Sequence, residues 1–471
     1  MNVRRLLKLL IYFVLFLLAL IAGVLVKAAG NNEFLPLVVH LPNSTALPVL
    51  TPTPTITPTP GPLNTGEITR VSVATDGTAG NMRSGSSDIS SDGRYVVFSS
   101  YATNLVPNDT NGAFDIFIHD KETLETSLVS VSSSGAQGGN DSTNPSISSD
   151  GRFVAFSSYA YNLVPDNWDI APDVYVHDRE TGETSRVSVS SDGVGGNDWS
   201  VLPSISADGT LVAFASLSNN LVIDDDNGNW DIFVHDRLTQ QTSLVSVSTG
   251  GVQGNAASIN PAISGDGRYV TFQSFAGNLV SGDTNDRSDI FVHEILTGIT
   301  RDVSVTSGGV TGNGHSVNHS ISVDGRYVVF DSASDDLVPG DFNEDYDIFV
   351  RDLVTEQTVL ASVNSQGLQA NDRSQDPFIS EDGRFVAFSS WASNLIDGDT
   401  NQGFDIFVHD LLTAKTSIVS VSSEGVLGNS WSSEPSMDAS GRYVTFSSWA
   451  DNLVLDDTNL TTDVFVYDRE E

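Results

Sequence analysis

One motif, S-D-G-R-Y-V-V-F-S-S, returns seven times with small variations and an unvarying spacing. Its glycine stands at Gly93, Gly151, Gly209, Gly267, Gly325, Gly383 and Gly441, each 58 residues after the one before. The aspartate that opens D-I-F-V-H-D keeps the same period, at Asp115, Asp173, Asp231, Asp289, Asp347, Asp405 and Asp463. A fixed period of this length marks one supersecondary unit copied in tandem, each copy burying its apolar faces against its neighbours.

Every copy holds four short segments rich in β-branched and aromatic residues, separated by turn chemistry. In the first copy they lie near 87–90, 94–100, 115–120 and 126–132. Asp92-Gly93 sits between the first two and predicts a tight hairpin turn, because both residues tolerate positive φ. The second segment, Tyr95-Val96-Val97-Phe98, is almost wholly apolar, so both of its faces are expected to be buried. No window carries a helical period over more than a few residues.

Four antiparallel strands per copy and seven copies predict an all-β fold, a seven-bladed β-propeller of four-stranded blades. The last copy stops at Val466-Tyr467-Asp468, after its third strand. Its missing fourth strand appears ahead of the first copy, at Thr69-Arg70-Val71-Ser72-Val73, 58 residues before Ser127-Leu128-Val129-Ser130-Val131. The ring is therefore expected to close when this N-terminal strand completes the last blade, which leaves no open edge.

The pattern P-x-I-S-x-D-G-R-[YF]-V-x-F followed by D-[IV]-[FY]-V-x-D resembles the WD40-like repeat of TolB-type propellers, over residues 66–471. Related repeats form the propellers attached to prolyl-oligopeptidase-type hydrolases. The resemblance implies a fold. For function it implies a binding platform, a lid or, in some cases, an enzyme. No G-x-S-x-G elbow is present.

Ahead of the repeats, Leu9 to Val26 is an unbroken apolar run flanked by Arg4, Arg5 and Lys8. Residues 1–30 therefore read as a membrane anchor or a cleaved signal peptide, and either reading exports the propeller. Residues 31–65, with T-P-T-P-T-I-T-P-T-P-G-P, read as a semi-rigid polyproline stalk. There is no cysteine, hence no disulfide and no thiol chemistry. Sixty acidic against 22 basic side chains, a net charge of −38, exclude a nucleic-acid partner and an anionic membrane surface, so any membrane contact runs through the N-terminal segment. A monomer is expected.

The loop between the second and third strands has one length in all blades and the consensus N-L-V-x-x-D-x-N-x-x-x-D. It supplies Asp109, Asn111 and Asp115; Asn167, Asp169 and Asp173; Asp225, Asn227 and Asp231; and Asp283, Asn285 and Asp289. The later blades supply Asp341, Asn343 and Asp347; Asp399, Asn401 and Asp405; and Asp457, Asn459 and Asp463. Short oxygen-bearing side chains at alternate loop positions suit Ca²⁺, which takes six to eight oxygens. Blade six adds Asp397, giving D-x-D-x-N-x-x-x-D, similar to the calcium hairpins of integrin α-subunit propellers, and is expected to be the best single site. Turn capping by Asp and Asn side chains is the competing reading.

A second loop at the same end carries one serine per blade, from Ser84 to Ser432, expected to latch the strand rather than attack a substrate. The histidines His119, His177, His235, His293 and His409 share one strand position with Arg351 and Tyr467, which fits a polar slot better than a metal ligand. Blades five to seven break symmetry near the expected channel mouth with Asn318-His319, Asp376-Pro377 and Glu434-Pro435, and His315 lies nearby. Trp168, Trp199, Trp230 and Trp431 fall in the loops and would stack on a sugar, grip a protein or pack between loops. The leading expectation is a non-catalytic exported propeller that binds a protein or glycan through this end. The alternative is a carbohydrate-active enzyme using His319, Asp376 and Glu434.

Overall fold

The computed structural model describes residues 66–470 except 166 and 168–170. The expected anchor (1–30), the stalk up to residue 65, Trp168 and Asp169 lie outside the described residues.

The first repeat forms the antiparallel sheet Ser84–Ile89, Tyr95–Ser100, Asp115–Asp120 and Glu125–Leu128, and each later repeat copies it. First strands touch their neighbours all round the ring and line a central channel. The second and third strands are buried on both faces because each is covered by the next blade. At their centre every blade stacks one aromatic pair, from Phe98–Phe117 to Phe446–Phe465, with ring centroids 5.9 Å apart in both of these. Dispersion and area burial at this layer hold blade to blade.

The seventh blade is built from Ser432–Met437, Tyr443–Ser448 and Asp463–Asp468, and Glu67–Arg70 supplies its outer strand. The register runs from Glu67 opposite Asp468 to Arg70 opposite Phe465. Past that strand the Val71 amide donates to the Val464 carbonyl at 2.9 Å, and Ser72 Oγ donates to Asp463 Oδ1 at 2.6 Å. Closure by the N-terminal strand is as the sequence predicts.

The Asp-Gly hairpin forms where the sequence predicts it. Only the glycine takes positive φ (71° at Gly93), while Asp92 stays out of the left-handed region and caps the turn through Oδ1 to the Arg94 amide. The glycine has a second reason to be there. A Cβ on Gly93 would fall 2.2 Å from the Tyr443 ring of the preceding blade, and Gly151 meets Tyr95 in the same way. The arginine of D-G-R pairs with the carboxylate that ends the third strand, as in Arg94–Asp120 at 2.7 Å.

Two further sequence readings resolve here. His119 Nδ1 lies 2.9 Å from Thr126 Oγ1, which donates to the Val73 carbonyl of the preceding blade, so the histidine slot is a buried polar joint. The repeated serine does latch, but onto a second hydroxyl rather than backbone: Ser84 Oγ lies 2.9 Å from Ser100 Oγ, and every blade repeats the pair.

Candidate functional site

In the Asp/Asn loops the asparagine builds the turn. Asn111 Oδ1 accepts from the Ala113 amide, while its Nδ2 donates to Asp115 Oδ2 at 2.8 Å and to the Gly138 carbonyl. Asn227, Asn285, Asn401 and Asn459 do the same in their blades. Asn343 likewise accepts from the Asp345 amide and donates to the Ala370 carbonyl, and Asn167, which stands where blade one has Asp109, donates to Tyr175 Oη. The strand-opening aspartate is buried and accepts a serine hydroxyl from the outer strand, Ser130 in blade one.

What meets the two carboxylates of each loop varies between blades. Gln137 Nε2 donates to Asp109 at 2.7 Å and to Asp115 at 2.8 Å. Gln253 bridges Asp225 and Asp231 in the same way, and Gln369 bridges Asp341 and Asp347. In blade seven the Arg70 guanidinium sits 3.1 Å from Asp457 and 3.4 Å from Asp463, and in blade two Arg186 pairs with Asp173 at 3.0 Å.

Blades four and six break this rule. Thr311 replaces the glutamine in blade four and donates to Asp302, so Asp302 joins Asp283 and Asp289. Sequence reasoning passed over Asp302 because no other blade has an acid there: its equivalents are leucine in three blades, arginine in two and isoleucine in one. In blade six Leu427 takes the glutamine's place beside Asp399 and Asp405, and Asp397 is exposed. Burial pushes Asp115, Asp231 and Asp347 up to about 6, and Asp289 and Asp405 up to about 7. Among the described residues no group of three or more His, Asp or Glu side chains has the geometry to hold a metal ion.

The rim at the same end is aromatic. Trp391 and Trp449 follow the second strands of blades six and seven, and Trp431 precedes the first strand of blade seven. The Trp391 ring lies 5.1 Å from Phe404 and 5.9 Å from Trp431, yet Trp391, Trp431 and Trp449 remain 40%, 54% and 54% exposed. Trp199 packs edge-on against Tyr159, and Trp230 is half-buried against the core. The sequence reading found Trp431 and Trp199 but missed Trp391 and Trp449. Their shared position also holds Tyr101, Tyr159 and Phe275, with Leu217 and Ala333 as exceptions, so a repeated aromatic at this position was the signal that could have found them.

Asp376 and Glu434 do not precede the first strand at the mouth, as the sequence suggested. They sit inside it, at a β-bulge where each has left-handed φ (53° and 56°), and they line the channel, a cavity of about 500 Å³. The two carboxylates interact, and burial followed by the Glu434 charge raises the Asp376 pKa. His319 also lines the channel and replaces proline at its bulge. Neither of its ring nitrogens makes a hydrogen bond, and burial lowers its pKa to about 4. No hydrogen bond joins it to Asp376 or Glu434. His315 stays on the rim, where it accepts from the Ser288 amide.

Comparison with solved structures finds the same ring. An oligogalacturonate lyase from Vibrio parahaemolyticus matches at a TM-score of 0.51 and 14% identity, covering 85% of this chain and 93% of that one. The β-propeller domain of the Trilobed protease from Pyrococcus furiosus matches at 0.50 and 11%, covering 83% and 95%. TolB from Acinetobacter baumannii matches at 0.38 and 16%, over 65% of this chain and 59% of TolB. The chain has a seven-bladed β-propeller fold. No family model and no curated protein matches the sequence. Identities this low establish the shared fold alone, so the function of this propeller has to be argued from its own residues.

Proposed function

We propose that the chain is an exported, surface-tethered, non-catalytic propeller that binds a protein or glycan partner through its loop-bearing end. The observation that carries this reading is the set of exposed tryptophans Trp391, Trp431 and Trp449, the first two packed on the half-buried Phe404. Large aromatics left in water at one end of a rigid scaffold are anchors in search of a covering surface. The enzyme reading has less behind it, because His319 is out of hydrogen-bond reach of both carboxylates. Glu434 is occupied in accepting from the Ser86 amide and Ser447 Oγ. The test is capture of glycans and of cell-surface proteins by the full chain. Trp391→Ala with Trp431→Ala should weaken capture by about tenfold or more. Leu296→Ala, an exposed apolar change in the turn before Ile299 at the other end, should not. Equal capture by the double variant would remove the rim from the account.

Calcium belongs to the same proposal, as a stabiliser of the loops. In blades one, three and five a glutamine amide already bridges the carboxylate pair by hydrogen bonds, so blade six is where a cation has most to gain. Millimolar Ca²⁺ is expected to raise the melting temperature, by a stabilisation of about 2.7 kcal/mol at a hundredfold excess over Kd. Asp399→Ala should remove more of that shift than Asp109→Ala. Leu427→Gln should abolish it while stabilising the calcium-free protein by about 1–2 kcal/mol, by supplying the amide that Gln137 supplies in blade one. A melting curve indifferent to calcium and chelator would reduce the loops to turn architecture.

A further inference from the structure

The channel itself points to a ligand of a different kind, and this inference does not rest on the rim. Two walls of the cavity differ in chemistry. Blades two to four present Pro145, Pro203, Pro261 and the isoleucines beside them with no carboxylate, whereas blades six, seven and one add Asp376, Glu434 and Asp88 to a similar apolar lining. No lysine or arginine lines the cavity. All three carboxylates accept from the wall: Asp88 from the Ile147 amide and Ser436 Oγ, Asp376 from the Asn318 and Gln375 amides, and Glu434 through Oε2 alone, while Glu381, at the Asp-Gly end, is held by Ser91 and Ser149. There the backbones of successive blades are drawn together, Ser91 to Ser149 to Ala207 to Gly265. A Cβ on Gly265 would fall 2.0 Å from Val323, so the wall closes in on small residues.

Behind the acidic wall lies an unusual group. Asp331 is fully buried on the second strand of blade five, where its equivalents are Ser99, Ser157, Ala215, Gln273, Ser389 and Ser447. Its Oδ2 accepts from Asn318 Nδ2 at 3.1 Å, and the same amide reaches Asp376 Oδ1 at 3.2 Å. Its Oδ1 has no hydrogen-bond partner. Burial, then the Asp376 charge, pushes this carboxyl up to about 8. Arg373 acts on both Asp331 and Asp376 from outside the cavity, but Glu434 sets a second negative charge against Asp376, and no cation in the cavity lining balances that pair.

We propose that the channel binds an alkyl-ammonium group, with Asp376 and Glu434 taking the ammonium and the proline and isoleucine wall taking the carbon chain. Two facts select an organic cation over a metal ion. The described residues bring no three acidic or imidazole ligands to one point, and half the cavity is apolar. A free diamine and the lysine side chain of a partner offer the same chemistry.

Titration calorimetry on the full chain tests this with cadaverine, N-acetyl-lysine amide, pentanediol as the uncharged analogue, and CaCl₂ and MnCl₂. Both amines should bind at least about tenfold more tightly than the diol, the margin of a charge-assisted hydrogen bond. Tighter binding of the lysine derivative would identify a partner side chain as the source, and tighter binding of cadaverine a free amine. Asp376→Asn with Glu434→Gln should cost each amine about tenfold or more. Ala262→Leu, which fills the cavity from the opposite wall and leaves every carboxylate in place, should block binding as well. The fold is expected to accept it, because Phe378 stands at the equivalent position of blade six. Equal binding of diol and diamine, no amine binding at millimolar concentration, or displacement of the amine by either metal at equal concentration would overturn the proposal.

Discussion

Deleting residues 1–75 should cost the propeller most of its stability, whereas deleting residues 1–63 should cost it little. Glu67–Arg70 is the outer strand of the last blade, and the eight residues from Gly66 to Val73 join one end of the chain to the other. Ile68 and Val71 are buried, and such side chains contribute about 1.5–3 kcal/mol each. The backbone bonds to the last strand, at about 1 kcal/mol apiece, go with them. Asp463 loses both Ser72 and Arg70 and is left buried beside Asp457. The sum approaches the ~5–15 kcal/mol that holds a domain folded. The longer deletion is expected to melt about ten degrees or more below the shorter one, or without a cooperative transition. Melting within a degree or two of each other would mean that the ring does not depend on its closing strand.

The second large effect is a dependence on pH. Asp289 and Asp405 are pushed up to about 7 and Asp331 to about 8, each first of all by burial. A carboxyl whose pKa is raised by folding holds its proton more tightly in the native chain than in the unfolded one. Its contribution is present at low pH and is lost as pH rises through the folded value. Stability should therefore increase, by a few kcal/mol in sum, as pH falls from about 8 to about 6.5. Below that the buried histidines His119, His177, His235, His293 and His409 work the other way, since burial lowers their pKa and protonation opposes the fold. The Arg–Asp pairs on the other end, such as Arg94–Asp120, hold their carboxyls low, so their contribution persists until strongly acid pH. Thermal melts across this range check the slope, and Asp289→Asn with Asp405→Asn should flatten it. A melting temperature that is constant or rises between about pH 6.5 and pH 8 would contradict the assignment.

What the sequence made legible follows from the period. The motif D-G-R-Y-V-V-F encodes a turn, an ion pair and a doubly buried strand at once, so blade number and ring closure could be read from spacing alone. Side-chain pairings that cross loops could not. Gln137 meets Asp109 from 28 residues away, and nothing in either local sequence announces it. The bulge that turns Asp376 and Glu434 into the channel depends on a left-handed residue other than glycine, which a strand pattern conceals. Asp331 was invisible for a related reason. Its position alternates among Ser, Ala and Gln, and only burial shows that a carboxylate there is out of place.

The central claim is that the loop-bearing end is a binding face rather than a catalytic one. Hydrogen–deuterium exchange of the full chain with a captured partner tests it most directly, with the partner's mass followed in the same sample. The expected result is protection at residues 391–404, 429–432 and 449, no change at the Asp-Gly turns, and a partner recovered with its mass unaltered. Protection at the Asp-Gly end, or cleavage of the partner that Asp376→Ala with Glu434→Ala abolishes, would contradict it.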